Sequence, residues 1–120
     1  MFRILTVDDS VAMRQMMNAT LTGAGYEVVQ AANGREALAI AADQAIDLVI
    51  TDVNMPHMDG IALVRELRTL VSYRTKPLLF LTTESAAGRK IEGREAGASG
   101  WMLKPYNSER LLSTIARFLK

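Results

Sequence analysis

Cysteine is absent from the 120-residue sequence. That excludes disulfides, thiolate zinc sites and thiol catalysis. Histidine occurs once, and no Ser-His-Asp arrangement accompanies it. His57 reads as a loop residue after Pro56 rather than as a catalyst. Neither sign of charge is in excess: 14 Lys and Arg face 13 Asp and Glu, a formal net charge of +1. No broad electrostatic attraction to nucleic acid or to an anionic membrane is expected from that balance. Long apolar runs are missing too, so no segment is a candidate to cross a bilayer. The opening Met1–Val7 run meets Asp8-Asp9 too soon for a signal peptide, and a cytoplasmic protein follows by default. Linkers, repeats and low-complexity stretches are likewise lacking. One domain over residues 1–120 is the expectation, and 49% hydrophobic residues suffice for its core. The short basic pair Arg89-Lys90 reads as part of a solvated helix face.

What is present alternates between two periods. Short apolar runs at Arg3–Val7, Glu27–Ala31, Asp47–Thr51, Pro77–Thr82 and Gly100–Leu103 predict five strands. The third and fourth hold continuous apolar stretches, Leu48-Val49-Ile50 and Leu78-Leu79-Phe80-Leu81. Strands buried on both faces have that pattern. Helical periods lie between the strands. Met13, Met16, Met17 and Leu21 recur on one face, with Gly23 and Gly25 as stops. Ala37, Leu38 and Ala41 mark a second helix, and Asp59 caps a third in which Leu63, Leu67, Leu70 and Val71 share a face. Residues 86–96 form a fourth, ended by Gly97. Asn107 or Ser108 caps a fifth, with Leu111, Leu112, Ile115 and Leu119 facing inward. Five β-then-α units predict an α/β fold with one parallel sheet and helices on both faces. Ligands of such sheets lie beyond the carboxyl ends of the strands. The fifth helix reaches the last residue, so no effector domain is expected to follow.

The strand ends carry the chemistry. Asp8-Asp9 follow the first strand, Asp52 the third, Thr82-Thr83-Glu84 end the fourth, and Lys104-Pro105 follow the fifth. Singly, each has an ordinary reading: a helix cap, a turn aspartate before Pro56, a strand end, a surface lysine. Jointly those readings do poorly, because three crowded carboxylates repel unless a cation compensates. A hard cation with oxygen ligands suits them, and Mg²⁺ favours one or two carboxylates plus water and phosphate oxygens. A carboxylate is also a competent nucleophile toward phosphorus. Phosphoryl transfer asks mainly for positioning and charge neutralisation, which Lys104 and the Thr82 hydroxyl can supply.

In order and spacing, four segments resemble the response-regulator receiver family along the whole chain. They are Val-Asp-Asp-Ser at 7–10, Ile-Thr-Asp-Val-Asn-Met-Pro-His-Met-Asp-Gly at 50–60, Leu-Thr-Thr-Glu at 81–84 and Lys-Pro-Tyr at 104–106. The resemblance implies a flavodoxin-like (βα)5 fold with strand order 2-1-3-4-5. It implies phosphorylation of Asp52, with Mg²⁺ held by Asp9, Asp52 and the backbone carbonyl of Asn54, and by Asp8 mostly through water. Thr82 and Lys104 would bind the phosphoryl group, and the Lys104–Pro105 bond would be cis. The donor would be a phosphohistidine on a sensor histidine kinase. Trp101 stands where the family usually has a switching Tyr, Phe or His, and it reads equally as a core tryptophan.

The fourth helix contains Gly88 and Gly93 and only one large apolar residue, Ile91. A helix so weakly anchored can respond when Thr82 moves. The fourth helix, fifth strand and fifth helix are therefore the expected output face. Thr82-Thr83-Glu84-Ser85 and Trp101–Pro105 resemble the chemotaxis receivers. They suggest a monomeric, non-enzymatic switch that takes its phosphoryl group from a chemotaxis kinase. It would slowly dephosphorylate itself, meet a phosphatase and bind a flagellar motor switch protein. A phosphorelay or phosphate-sink receiver is the alternative. A haloacid-dehalogenase-like phosphatase would want an Asp-x-Asp pattern on the first strand, and a nucleotide-binding half-domain a Gly-rich turn there. The sequence has neither.

Overall fold

The structure, a computed structural model, describes residues 1–119. Its strands are β1 (Arg3–Val7), β2 (Glu27–Ala31), β3 (Leu48–Thr51), β4 (Leu78–Thr82) and β5 (Gly100–Leu103). All pair in parallel, in the order β2-β1-β3-β4-β5. The helices are α1 (Val11–Gly23), α2 (Gly34–Asp43), α3 (Gly60–Thr69), α4 (Ala87–Ala96) and α5 (Ser108–Phe118), with a short 3-10 turn at Val71–Tyr73. Among the described residues no helix is long and apolar enough to cross a membrane.

Two cores account for the continuous apolar strands. Leu5, Val7, Val49, Leu78 and Phe80 pack on one face with Ala37, Ala41, Ile61, Leu63, Val64, Leu67 and Ala96 of α2, α3 and α4. Ile4, Leu48, Ile50, Leu79 and Leu81 pack on the other with Met17 and Leu21 of α1 and Leu111 and Ile115 of α5. Burying both faces removes apolar surface from water on each side of a single sheet, at about 25 cal/mol per Å². Asn33, Asp59 and Asn107 cap α2, α3 and α5 through their side-chain oxygens, and Ser10 caps α1. Gly97 ends α4 in the left-handed region at φ 110°, where a side chain would be strained.

Two positions depart from the helical pattern. Met16 is 54% exposed, because the buried stripe of α1 runs through Met17 and Leu21 instead. Val71 is 76% exposed, because α3 stops at Thr69 and the following 3-10 turn rotates its successors away from the α3 face. The same turn buries Tyr73. The Tyr73 hydroxyl lies 2.7 Å from the Ala41 carbonyl and 2.8 Å from that of Gln44, and it accepts the Ile46 N–H at 3.3 Å. It thus serves carbonyls at the end of α2 that the helix leaves without partners. Tyr73→Phe is expected to cost about 1–3 kcal/mol, the penalty for stranding buried polar groups, read as a lower urea midpoint at unchanged slope.

Candidate functional site

The carboxyl ends of β1, β3 and β5 bring together the groups that the sequence separates by up to 96 positions. Asp8 and Asp52 are buried, and Asp9 is exposed beside them. Carboxylate oxygens of Asp8, Asp9 and Asp52 lie within 4.8 Å of one another. The Lys104 ammonium bridges two of them, donating to Asp8 Oδ2 at 2.7 Å and to Asp52 Oδ2 at 2.8 Å. Burial pushes the lysine pKa down, but the bonds and charges of Asp52 and Asp8 outweigh burial and hold it above its ordinary value.

Each side chain is aimed by local backbone. Asp8 Oδ1 accepts the Ser10 N–H at 2.9 Å, which turns the chain into α1. Behind it, the Arg14 guanidinium donates to the Asp8 carbonyl at 2.6 Å. Asp52 Oδ1 accepts the Val53 N–H at 2.6 Å and the Asn54 N–H at 3.4 Å. That leaves Oδ2 to Lys104. The Val53 carbonyl accepts the Gly60 N–H at 2.8 Å and folds the loop onto the start of α3. A Cβ at Gly60 would collide with the Asp52 carbonyl, so only glycine permits this approach. Asn54 is exposed within the same loop, and exposed His57 takes φ 70° there. The Lys104–Pro105 bond is cis.

Thr82 is fully buried at the end of β4, and its hydroxyl oxygen accepts the Glu84 N–H at 3.1 Å. Trp101 of β5 reaches the same loop, donating from Nε1 to the Glu84 carbonyl at 3.0 Å. Its ring packs on Phe80 at 5.1 Å between centroids, tilted by 59°. Trp101 is therefore half in the core and half tied to the β4–α4 loop.

Sequence reasoning missed two supports of this loop. Arg89 is not merely solvated: it faces Glu92 at 2.9 Å, Asp59 at 3.6 Å and Glu84 at 3.9 Å, strapping the start of α4 to two loops of the site. Gly93 is more than a weak spot in α4. A Cβ there would stand 2.9 Å from both Phe80 and Trp101. Gly88 faces open space. The two glycines should thus respond oppositely to alanine. Gly88→Ala is expected to stabilise by about 0.5–1 kcal/mol through helix propensity alone. Gly93→Ala is expected to destabilise by about 1–2 kcal/mol, overpacking outweighing propensity, and to shift the emission of the single tryptophan. Thermal melts and fluorescence of the pair check this.

The fold and the site together define a class: the chain belongs to the response regulator receiver domain family, whose model matches residues 4–116. Receivers of this family are phospho-acceptor regulators of two-component systems. Among solved structures, the chain is similar to the chemotaxis protein CheY4 of Vibrio cholerae, with TM-score 0.94 and 49% identity over 98% of both chains. It is similar to the receiver domain of the sensor histidine kinase PA1611 of Pseudomonas aeruginosa, with TM-score 0.92 and 28% identity over 98% of this chain and 97% of that one. That structure is described with a magnesium ion coordinated in its active-site cleft. The response regulator MprA of Mycolicibacterium vanbaalenii is 37% identical over 98% of this chain, which spans 50% of that relative. The chain spans about half or less of the length of the first curated relatives it matches.

The carboxylates fit a hard divalent cation. All three donors are oxygens that converge within one coordination sphere, and their negative charge exceeds the single ammonium that bridges them.

Proposed function

We propose that this chain is a phosphorylation-activated switch in which Asp52 accepts a phosphoryl group from the phosphohistidine of a cytoplasmic sensor kinase. The observation that carries the reading is the Lys104 ammonium shared between Asp8 and Asp52 inside the carboxylate cluster. Backbone amides fix one oxygen of Asp52, and the other faces Lys104. Mg²⁺ held by Asp8, Asp9, Asp52 and the Asn54 carbonyl would neutralise charge on the transferred group. Lys104 follows the new charge as the carboxylate becomes an aspartyl-phosphate. Thr82 keeps its own hydroxyl proton free to donate, since its oxygen only accepts from Glu84. Movement of Thr82 reaches Trp101 through Glu84 and reaches α4 through Arg89.

The output face is α4, β5 and α5. Helix α4 lacks a side-chain cap and buries only Gly93 and Ala96, so it is the helix least anchored to the core. Similarity to CheY4 over 98% of both chains favours chemotaxis, with a chemotaxis kinase and a flagellar motor switch protein as partners and one domain, monomeric, as the working unit. The similarity to a receiver carried by a sensor kinase supports the second reading, a phosphorelay or phosphate-sink receiver. Immobilised protein, offered motor switch protein and histidine phosphotransfer protein with and without acetyl phosphate and Mg²⁺, separates them. We expect motor switch protein to be retained at least about tenfold more after phosphorylation, about 1.4 kcal/mol of coupling. Retention of the phosphotransfer protein alone would establish the second reading.

A further inference from the structure

Strand periodicity places a hydroxyl beneath the carboxylates. Side chains two apart on extended backbone share a face, and Asp8 continues the β1 pairing one residue past the strand, its N–H donating to the Ala31 carbonyl at 3.1 Å, so Thr6 lies directly below Asp8. Its cross-strand partner Ile50 lies below Asp52 in the same way, since the Asp52 N–H extends the β3 pairing to the Val7 carbonyl at 2.9 Å. Thr6 is 2% exposed, and its Oγ1 has no hydrogen-bond partner within the protein. It is the single buried side-chain polar atom so stranded among the described residues. Buried hydroxyls are costly without a partner.

Thr6 borders a recess that Asp8, Arg14 and Asp52 also line, closed from the α1 side by Met13 and Met17. The recess has about 10 Å³ of room for the centre of a water molecule. About one water needs that much, together with two to four polar partners. Besides Thr6, the residues around the recess that carry polar side chains are Asp8, Asp52 and Arg14. The other lining residues are apolar or contribute backbone already engaged in β1.

From the unpartnered Thr6 hydroxyl and this recess, we infer a binding site for one structural water that joins Thr6 to Asp8 and Asp52 and makes Thr6 a positioning residue for the phosphoryl site. The water satisfies the hydroxyl. It also braces the carboxylates from below. This deepens the phospho-acceptor reading and rests on it only for its effect on Mg²⁺ and phosphorylation. The water itself stands apart from that reading.

The experiment therefore has two arms. A crystal structure of the unliganded protein at atomic resolution should show one ordered water within hydrogen-bond reach of Thr6 Oγ1, and an empty recess overturns the inference. Titration of Mg²⁺ into wild type, Thr6→Val and Thr6→Ser by calorimetry forms the second arm. Thr6→Val keeps the shape and removes the hydroxyl, and it should weaken Mg²⁺ binding about tenfold, as loss of outer-shell support does. Thr6→Ser keeps the hydroxyl and should stay within about twofold of wild type. If Thr6→Val binds Mg²⁺ as wild type does and melts at a higher temperature, the hydroxyl is an unpaired burden and the inference fails. If wild type shows the water yet takes no phosphoryl group on Asp52, the functional reading fails and the water site stands.

Discussion

Asp52→Asn is expected to lower labelling by acetyl phosphate at least about 10³-fold, because an amide offers no nucleophilic oxygen to phosphorus. The variant should fold. The amide oxygen can keep the bond that the Asp52 carboxylate accepts from Val53 N–H, and the side chain keeps its volume. Removing one of three clustered carboxylates relieves repulsion, which offsets the lost Lys104 bond to Asp52 Oδ2 while Lys104 keeps Asp8, so the melting temperature without Mg²⁺ should change little. Loss of label with an intact fold thus isolates the chemistry. Acid-labile label persisting on Asp52→Asn would move the acceptor to another carboxylate, and Asp9, the exposed member of the cluster, would be the first to test. Loss of label together with loss of fold is distinguished by circular dichroism on the same sample.

Much of the architecture was legible because burial on two faces leaves a strong mark. Leu48-Val49-Ile50 and Leu78-Leu79-Phe80-Leu81 are apolar without alternation, since each successive side chain enters one core or the other. Strand order was not legible from that pattern. It came from a family resemblance, and the sheet adopts the implied order. Helix faces were legible only approximately. In α1 the three methionines at 13, 16 and 17 are chemically alike, and only the fold tells that Met16 points to water. At Val71 the periodicity runs on while the chain has already changed to a tighter turn.

The charged residues show a second limit. Asp8, Asp9, Asp52 and Lys104 could be suspected from their places at strand ends, because a parallel sheet gathers those ends on one edge. Arg68 and Arg89 gave no such signal, since a basic residue on a helix is most often solvated. Yet Arg68 donates to the carbonyls of Gly97, Tyr73 and Lys76 at 2.6–2.9 Å, pinning the end of α3 to the end of α4. Burial correspondingly lowers its pKa. Arg89 straps the other end of α4 through ion pairs that stand partly in water. Such pairs contribute roughly 0–1 kcal/mol each and weaken in salt. Helix α4 is thus held firmly where it meets β5 and loosely where it meets the site, an asymmetry suited to motion about its carboxyl end. No local pattern in the sequence encodes that asymmetry, because the partners that create it, the Gly97 and Lys76 carbonyls for Arg68 and Asp59 and Glu84 for Arg89, lie outside each arginine's own helix.

Lys104→Met carries the second large effect, and it falls on stability. The Lys104 side chain is only 12% exposed, and its ammonium bridges carboxylates whose side chains are 8% and 11% exposed. Removing one partner of such a group leaves buried charge uncompensated, a cost of about 3–5 kcal/mol for full burial. Some water reaches this edge, so about 2–3 kcal/mol is the expected loss at neutral pH, by the same reasoning. Mg²⁺ should restore more stability to the variant than it adds to wild type, because in wild type the cation and Lys104 compete for Asp8 and Asp52. Binding at a hundred times its dissociation constant adds about 2.7 kcal/mol, enough to close most of the gap. The alkaline limb gives an independent check. The Lys104 pKa is raised on folding, so its contribution is complete below the unfolded value of about 10.4 and is lost as pH rises through the folded value. Wild type should therefore lose stability as pH rises past the unfolded lysine value of about 10.4, and the variant should lose less, keeping the share due to the raised Tyr73 phenol. Urea melts at neutral and alkaline pH, with and without Mg²⁺, measure all of these terms. A variant as stable as wild type at pH 7 without Mg²⁺ would mean that solvent, rather than Lys104, compensates the carboxylate pair. The bridge would then no longer support a site poised for phosphate.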